Sequence, residues 1–449
     1  MTHERFGAIT LTVLVTLMLA TAAPAADVGV HRLPNGVTVL TMPAKWNRIV
    51  AVSVMVDAGA KHDPSKLSGL AHLTAAMLPQ GTTTRSATEL AELVDSSGIQ
   101  LGTETTHDYA HIYVTTIASR LDTGLEVLAD VLQHPAFDQK HLLEAQRMAH
   151  DSLDAAADDP FNTPFTRTSE LLFDGHPYSR PVEGTEDGID RITVKHLVKF
   201  HGSRYVGGNT VIAIVGDFSP EHAVERLTEL LSDYPDGGEP DMAPPPPPLP
   251  PPPAESTTVK IFADVDQAYL AMGFLAPSIH DDDYAAVTVI NGLMGVGSGS
   301  RLSRLLGPDG TDIADKMGSY CRCIDDASAF TLYASTESPD VTVEMMREEL
   351  ARLASEPVPD DELKEAKNRV IGRYVITGQT NLARAARMAF PELAGLGYSR
   401  EESYLSEVNR VDKDDIMRVA SVWLRKPFTV IVYPGKTSLR ERAAVRGGI

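Results

Sequence analysis

The chain has 449 residues, 43% hydrophobic and 22% charged, with 61 acidic against 40 basic side chains and a net charge of −21. That length suits two domains of about 200 residues each, and the composition excludes wholesale disorder. So acidic a surface repels phosphate backbones and anionic lipid, which excludes nucleic acid and membrane surfaces as expected partners.

Arg5 precedes an apolar run over 8–20, and the small-residue stretch Ala23-Pro24-Ala25 follows. This reads as a secretory signal cut near Ala25, with an apolar region too short to span a bilayer comfortably. The mature chain, from Ala26, is expected to be periplasmic or secreted and to have no transmembrane span. Strands are expected at 37–42, 49–57 and 110–117, where β-branched and aromatic residues gather. Helices are expected at 88–96 and 121–133, the second ended by Pro135. Residues 244–253 are proline except for Leu249. Such a run adopts polyproline II, cannot join a sheet ladder and spaces its neighbours semi-rigidly.

The stretches on either side of that run look like copies. The helix-like segment opening at Phe137-Asp138-Gln139 has a counterpart at Val358-Pro359-Asp360, and the helix and strand from Ile192-Thr193-Val194 to 210–215 have theirs from Val411-Asp412-Lys413 to 428–433. Both pairs keep one offset of about 220 residues, which is the mark of duplication. The expected domains are a signal peptide at 1–25, a first domain at 26–234, a linker at 235–257 and a second domain at 258–449. The expected class is α+β, two homologous domains that each carry a mostly antiparallel sheet with helices on one face. Cys321 and Cys323 lie i, i+2 in an expected strand. They read as buried or half-buried thiols, since a bridge between them would be strained and two thiols cannot complete a zinc site.

Several blocks then resemble one family. Leu33-Pro34-Asn35-Gly36-Val37, Asp57-Ala58-Gly59-Ala60, Ser68-Gly69-Leu70-Ala71-His72, His176-Pro177-Tyr178, Gly184-Thr185, Val215-Gly216-Asp217 and Gly297-Ser298-Gly299-Ser300-Arg301-Leu302 follow the order of the M16 (insulinase/pitrilysin-like) zinc peptidases. The resemblance covers nearly the whole mature chain. It implies an inverted zinc signature, H-x-x-E-H, in which two histidines one helical turn apart hold the metal and the glutamate activates its water. Here the signature reads His72-Leu73-Thr74-Ala75-Ala76. The base position is Ala75, the second histidine position is Ala76, and the downstream glutamate falls near Ser152, with Glu144 and Asp151 off the expected place. His72 is therefore expected to be a remnant, with no catalytic residue and no cofactor in this chain.

Other groups offer no replacement. His107 and His111 are four apart in an expected strand, which separates them by about 13 Å. Asp281, Asp282 and Asp283 read as a solvated loop. The glycines at 295–299 are not followed by the Lys-Ser/Thr of a phosphate-binding loop. The resemblance also implies a substrate-holding arginine and tyrosine in the second domain. Their positions fall at Gly307 and near Ala314 or Asp315, and Tyr320 comes too late. Arg301 reads first as a loop-stabilising residue and second as a substrate contact. The family's substrate-pairing edge strand maps to Gly102, Thr103 and Glu104, which can accept an extended peptide through backbone hydrogen bonds alone.

The resemblance thus implies a non-catalytic M16-like subunit that closes the peptide chamber of a zinc peptidase partner. That partner is a chain carrying H-x-x-E-H, in a heterodimer, or a second copy of this one. The alternatives are a peptide-binding scaffold in an envelope complex, and an active zinc metalloendopeptidase with an atypical site around His72. Zinc is expected only in the partner chain or in such an atypical site.

Overall fold

A computed structural model of the chain describes residues 28–238, 244–306, 313–323 and 325–436. The signal segment 1–25, Gly307 and the side chain of Cys323 lie outside the described residues. The first half runs β1 (Gly29–Arg32), β2 (Thr38–Pro43), β3 (Ile49–Val56), α1 (Leu70–Met77), α2 (Ala87–Ser96), β4 (Gln100–Thr105), β5 (Ala110–Ile117) and α3 (Leu121–Gln133). It continues through α4 (Gln139–Asp158), α5 (Asn162–Leu172), α6 (Glu186–Arg191), α7 (Val194–Arg204), β6 (Thr210–Gly216) and α8 (Pro220–Leu230). Local chemistry sets several of these limits. In α2, Ser86 and Glu89 form a reciprocal capping box. In α3, Leu121, Leu125, Leu128 and Leu132 fall on one face and are all buried.

The second half runs β7 (Thr257–Ala263), β8 (Ala268–Ala276), α9 (Tyr284–Met294), α10 (Arg301–Arg304), β9 (Lys316–Cys323), β10 (Ser328–Thr336) and α11 (Pro339–Ser355). It ends with α12 (Asp360–Thr377), α13 (Asn381–Leu393), α14 (Arg400–Arg410), α15 (Lys413–Trp423) and β11 (Phe428–Pro434). Its sheet has the order β7-β11-β8-β10-β9, and the first sheet has β1-β2-β6-β3-β5-β4. In each sheet one pair is parallel, β2 with β6 and β7 with β11, and the rest are antiparallel. Apart from β1 the two topologies match strand for strand, as the sequence copies require.

The class is the expected α+β, and the structure adds what covers the second face of each sheet. β3, IVAVSVMV, and β6, TVIAIVG, are buried almost end to end. A strand with both faces apolar must be covered twice. On one face lie helices of the same half. On the other lies α13, from the other half, whose Ala385, Met388 and Ala389 pack on Leu40, Met55, Val211, Ala213 and Val215. The exchange is reciprocal. Helix α5, the first-half counterpart of α13 at an offset of about 220 residues, packs on β8 and β11. Gly273 on β8 makes room for it, since a Cβ there would stand 2.2 Å from Thr168 Cγ2. Trp46 further ties α13 down, donating from Nε1 to Asn381 Oδ1 at 3.0 Å beneath the Arg384 guanidinium.

A polar lock closes the seam. Lys61, in a short turn after β3, places Nζ 3.1 Å from Asp325 and 3.6 Å from Asp108. Asp325 and Asp326 belong to the turn between β9 and β10. His280 Nε2 lies 2.7 Å from the other Asp325 oxygen. Tyr178 donates to Asp108 and lies 3.1 Å from Asp326. Burial alone would lower the Lys61 pKa, and the carboxylates of Asp108, Asp57, Asp325 and Asp326 outweigh it and raise it. Asp283, expected in a solvated loop, is instead mostly covered, paired with Arg418 at 2.6 Å and bonded to Trp423 Nε1 at 3.1 Å. Among the described residues no helix is long and apolar enough to cross a membrane.

Two measurements check this account. Gly273→Val is expected to push α5 off the second sheet and lower stability by about 1–3 kcal/mol in chemical denaturation; an unchanged midpoint would mean the helix does not seat there. Lys61→Met leaves buried carboxylates without their cation and is expected to cost about 3–5 kcal/mol, with no loss expected only if the seam is open in solution.

Candidate functional site

The segment His72-Leu73-Thr74-Ala75-Ala76 lies in α1 beneath a buried carboxylate that caps it. Asp63 is buried, accepting from Gly69 N at 2.7 Å and Ala71 N at 2.8 Å at the start of α1. Its burial raises the carboxyl pKa to about 7 despite these bonds. Gly69 has φ +102°, and a Cβ there would stand 2.6 Å from the Glu183 carbonyl oxygen. The turn at 183–184 is thereby clasped to the head of α1, which brings Glu183 close to His72. Burial lowers the His72 pKa, and the nearby Glu183 charge opposes the shift. One turn on, Ala75 is buried and Ala76 half-buried. Ser152, on α4, is exposed and lines a cavity.

The donor set does not fit a catalytic zinc, which needs three protein ligands. His72 supplies one imidazole, Ala75 and Ala76 supply methyl groups, and Ser152 supplies a hydroxyl. Among the described residues no group of three or more His, Cys, Asp or Glu side chains is gathered to hold a metal. Glu144 pairs with His141 at 3.1 Å, and Asp151 is exposed. His107 and His111 do not converge either, although the reason differs from the one expected. His107 lies in the turn between β4 and β5, not in a strand. There its Nε2 bonds the Arg180 carbonyl oxygen at 2.9 Å, while His111 Nε2 bonds Ser53 Oγ at 2.9 Å.

The cavity, about 870 Å³, opens where the halves meet. Its wall includes Thr105 at the end of β4, Ser152, Arg180 and Glu183 from the first half, and Tyr320 and Arg322 on β9 from the second. β4 pairs only with β5 among the described strands, so it is an edge. Gly102 leaves room for the Tyr113 ring on the neighbouring strand. Thr103 is half-buried, and Glu104 is exposed with one oxygen 3.7 Å from His111. The outer backbone groups of β4 are thus free to pair with an added strand that runs toward the cavity.

Arg301 is removed from the substrate candidates. Its guanidinium is nearly covered and reaches Glu362 at 2.9 Å and Glu349 at 3.4 Å, so it ties α10 to α11 and α12. Tyr320 stands in the cavity wall even though it comes too late for the family's tyrosine position. Arg180 and Arg322 line the cavity without having been singled out in the sequence, and Arg322 lies on β9. Its only advance signal is the two-residue alternation of β9, which sets Tyr320 and Arg322 on one face and Cys321, half-buried, on the other.

The family model described as Insulinase (Peptidase family M16) matches residues 38–186, and that described as Peptidase M16 inactive domain matches residues 191–370. A Rickettsia bellii protein named as an uncharacterized zinc protease is 25% identical over 414 residues, 91% of this chain and 98% of that one. The uncharacterized zinc protease YmxG of Bacillus subtilis is 23% identical, covering 86% and 93%. Among solved structures, a peptidase M16 inactive domain from Pseudomonas fluorescens superposes with a TM-score of 0.83 at 21% identity, over 92% of this chain and 99% of that one. A protease from Helicobacter pylori superposes with 0.84 at 20% identity, over 91% and 100%. With its two matched sheets, its edge strand and both halves recognised in order, the chain belongs to the M16 peptidase family.

Proposed function

We propose that this chain is a non-catalytic M16 subunit that binds peptide and closes the chamber of a zinc peptidase partner carrying H-x-x-E-H. The observation that carries the reading is the face of α1. The helix is capped and packed as a site-bearing helix would be, yet alanines stand at the base and second-ligand positions. A lone imidazole does not hold zinc tightly, because affinity comes from three or four deprotonated ligands acting together. Peptide binding does not need the metal. The free edge of β4 offers backbone donors and acceptors, and the cavity beside it offers polar side chains. In this reading the chain is exported, its mature form begins at Ala26, and it meets its partner in the periplasm or outside the cell.

The free β4 edge also favours a second reading, a peptide-binding scaffold in an envelope complex with no peptidase partner. Mixing separates the two. The mature chain and a co-exported M16 chain with an intact signature are expected to cleave peptide together faster than the partner does alone. A rate unchanged by adding this chain would leave the scaffold reading.

Metal content tests the central claim. After dialysis, elemental analysis of the mature chain made without a metal-binding tag is expected to find far less than one zinc per chain. One tightly held zinc per chain would sink the proposal and point to an atypical site around His72. The double variant Ala76→His/Ser152→Glu is expected to raise occupancy toward one zinc per chain, since it restores the ligand count and leaves the buried Ala75 in place. Unchanged occupancy in a folded variant would show that α1 and α4 are no longer spaced for metal.

A further inference from the structure

Two guanidinium groups in the cavity wall lack the partner that buried cations normally require. Arg180, half-buried, donates from Nη2 to the Asp63 carbonyl oxygen at 3.2 Å, while its Nη1 is buried with no hydrogen-bond partner among the described residues. Arg322, also half-buried, has Nη2 2.8 Å from His107 Nδ1. Neither forms an ion pair among the described residues, whereas Arg167 in the same wall is matched by Glu170 at 2.6 Å. His107 sits between the two, accepting from Arg322 on Nδ1 and donating from Nε2 to the Arg180 carbonyl oxygen. Burial first, and then both guanidinium charges, push the His107 pKa down to about 3. A neutral imidazole cannot balance the arginines, nor does it repel an anion.

Two of the nearby acids are committed elsewhere. Asp108, whose charge reaches Arg322, lies 3.6 Å from Lys61 and accepts from Tyr178. Asp63, whose charge reaches Arg180, points both oxygens at the head of α1. Among the described residues Glu183 is the wall acid without an ion pair, and its charge is felt at His72. On a chain of net charge −21, this leaves a local positive site facing a cavity at the end of the edge strand. A guanidinium presents a fixed fork of donors that matches a carboxylate, and a charge-assisted bond in a half-dry wall is among the stronger polar contacts.

We propose that Arg180 and Arg322 form a carboxylate-recognition site in the cavity, which selects peptides presenting either a free C-terminal carboxylate or an acidic side chain. The proposal rests on the reading that the cavity takes peptide, and it adds a charge preference opposite to the one the acidic surface would suggest. Isothermal titration calorimetry on the mature chain tests it with three uncharged-sequence pentapeptides. One ends in a free carboxylate, one is amidated, and one is amidated with a single glutamate. The free-acid or the glutamate peptide is expected to bind about tenfold or more tighter than the plain amide, and whichever gains identifies the source of the carboxylate. In Arg322→Gln and Arg180→Gln that advantage is expected to fall toward one, with affinity for the plain amide retained. The wild-type comparison stands alone if either variant fails to fold. Equal affinity for all three peptides, or binding by none, would overturn the proposal. Neither result bears on the partner reading, which zinc content and the mixing experiment decide independently.

Discussion

The central strands of both sheets are apolar on both faces, and burying the second face is the constraint on which the rest of the molecule depends. Neither half has a helix of its own to spend there. Each borrows one, so α5 and α13 cross in opposite directions between the halves. The small residues Ala385 and Ala389 on α13 and Gly273 beneath α5 let helix and sheet approach closely, and close approach multiplies weak dispersion contacts. Two domains exchanged in this way cannot hinge freely without exposing both sheet faces together. The proline run between them is then a connection rather than a hinge, since the exchanged helices already fix the relation of the halves.

That fixed relation positions the site. The turn between β4 and β5 meets the end of β9, and the cavity forms where an edge strand of the first half faces an edge strand of the second. The Lys61 lock stands behind it. A single ammonium among four carboxylates contributes little net stability, because desolvation offsets much of the attraction, but it is specific about geometry. It places Asp108, Tyr178 and His107 together, and these in turn orient Arg322. The fold also holds α1 by packing and capping alone. Helix α1 is anchored through Leu70, Leu73, Thr74 and Met77, which are buried, and through the Asp63 cap. Ala75 belongs to that packing, while His72 and Ala76 stand half-buried beside it.

Much of this was legible in the chain. The β-branched run at 110–117 and the leucine spacing at 121–133 matched the observed β5 and α3, because each is a local pattern. The offset of about 220 residues anticipated two matched sheets. The continuous apolar runs of β3 and β6 carried the information that both faces are covered, yet periodicity cannot say by what. The exchange of α5 and α13 is a contact between segments about 100 residues apart or more, and nothing local encodes it. Arg301 shows the converse. A motif put it beside a glycine-rich loop, and only the folded chain shows Glu349 and Glu362 waiting for it. Asp283 was misread because a run of like charges gives no hint that Arg418 lies opposite.

Arg322 and the acidic surface together suggest how charge is divided in this molecule. A net charge of −21 keeps the outside soluble and slows the approach of anionic peptides, an effect that salt screens beyond about 10 Å. At the proposed site the sign is reversed over a few ångströms by two guanidinium groups that form no ion pair among the described residues. Long-range repulsion with short-range capture favours a ligand that carries its negative charge at one point, inserted into the cavity while the rest of it pairs with the β4 edge. A uniformly acidic peptide meets the outer field along its whole length and gains the inner site only once. Selection of that kind needs no chemistry at α1, and it follows from where the fold has left its arginines unpaired.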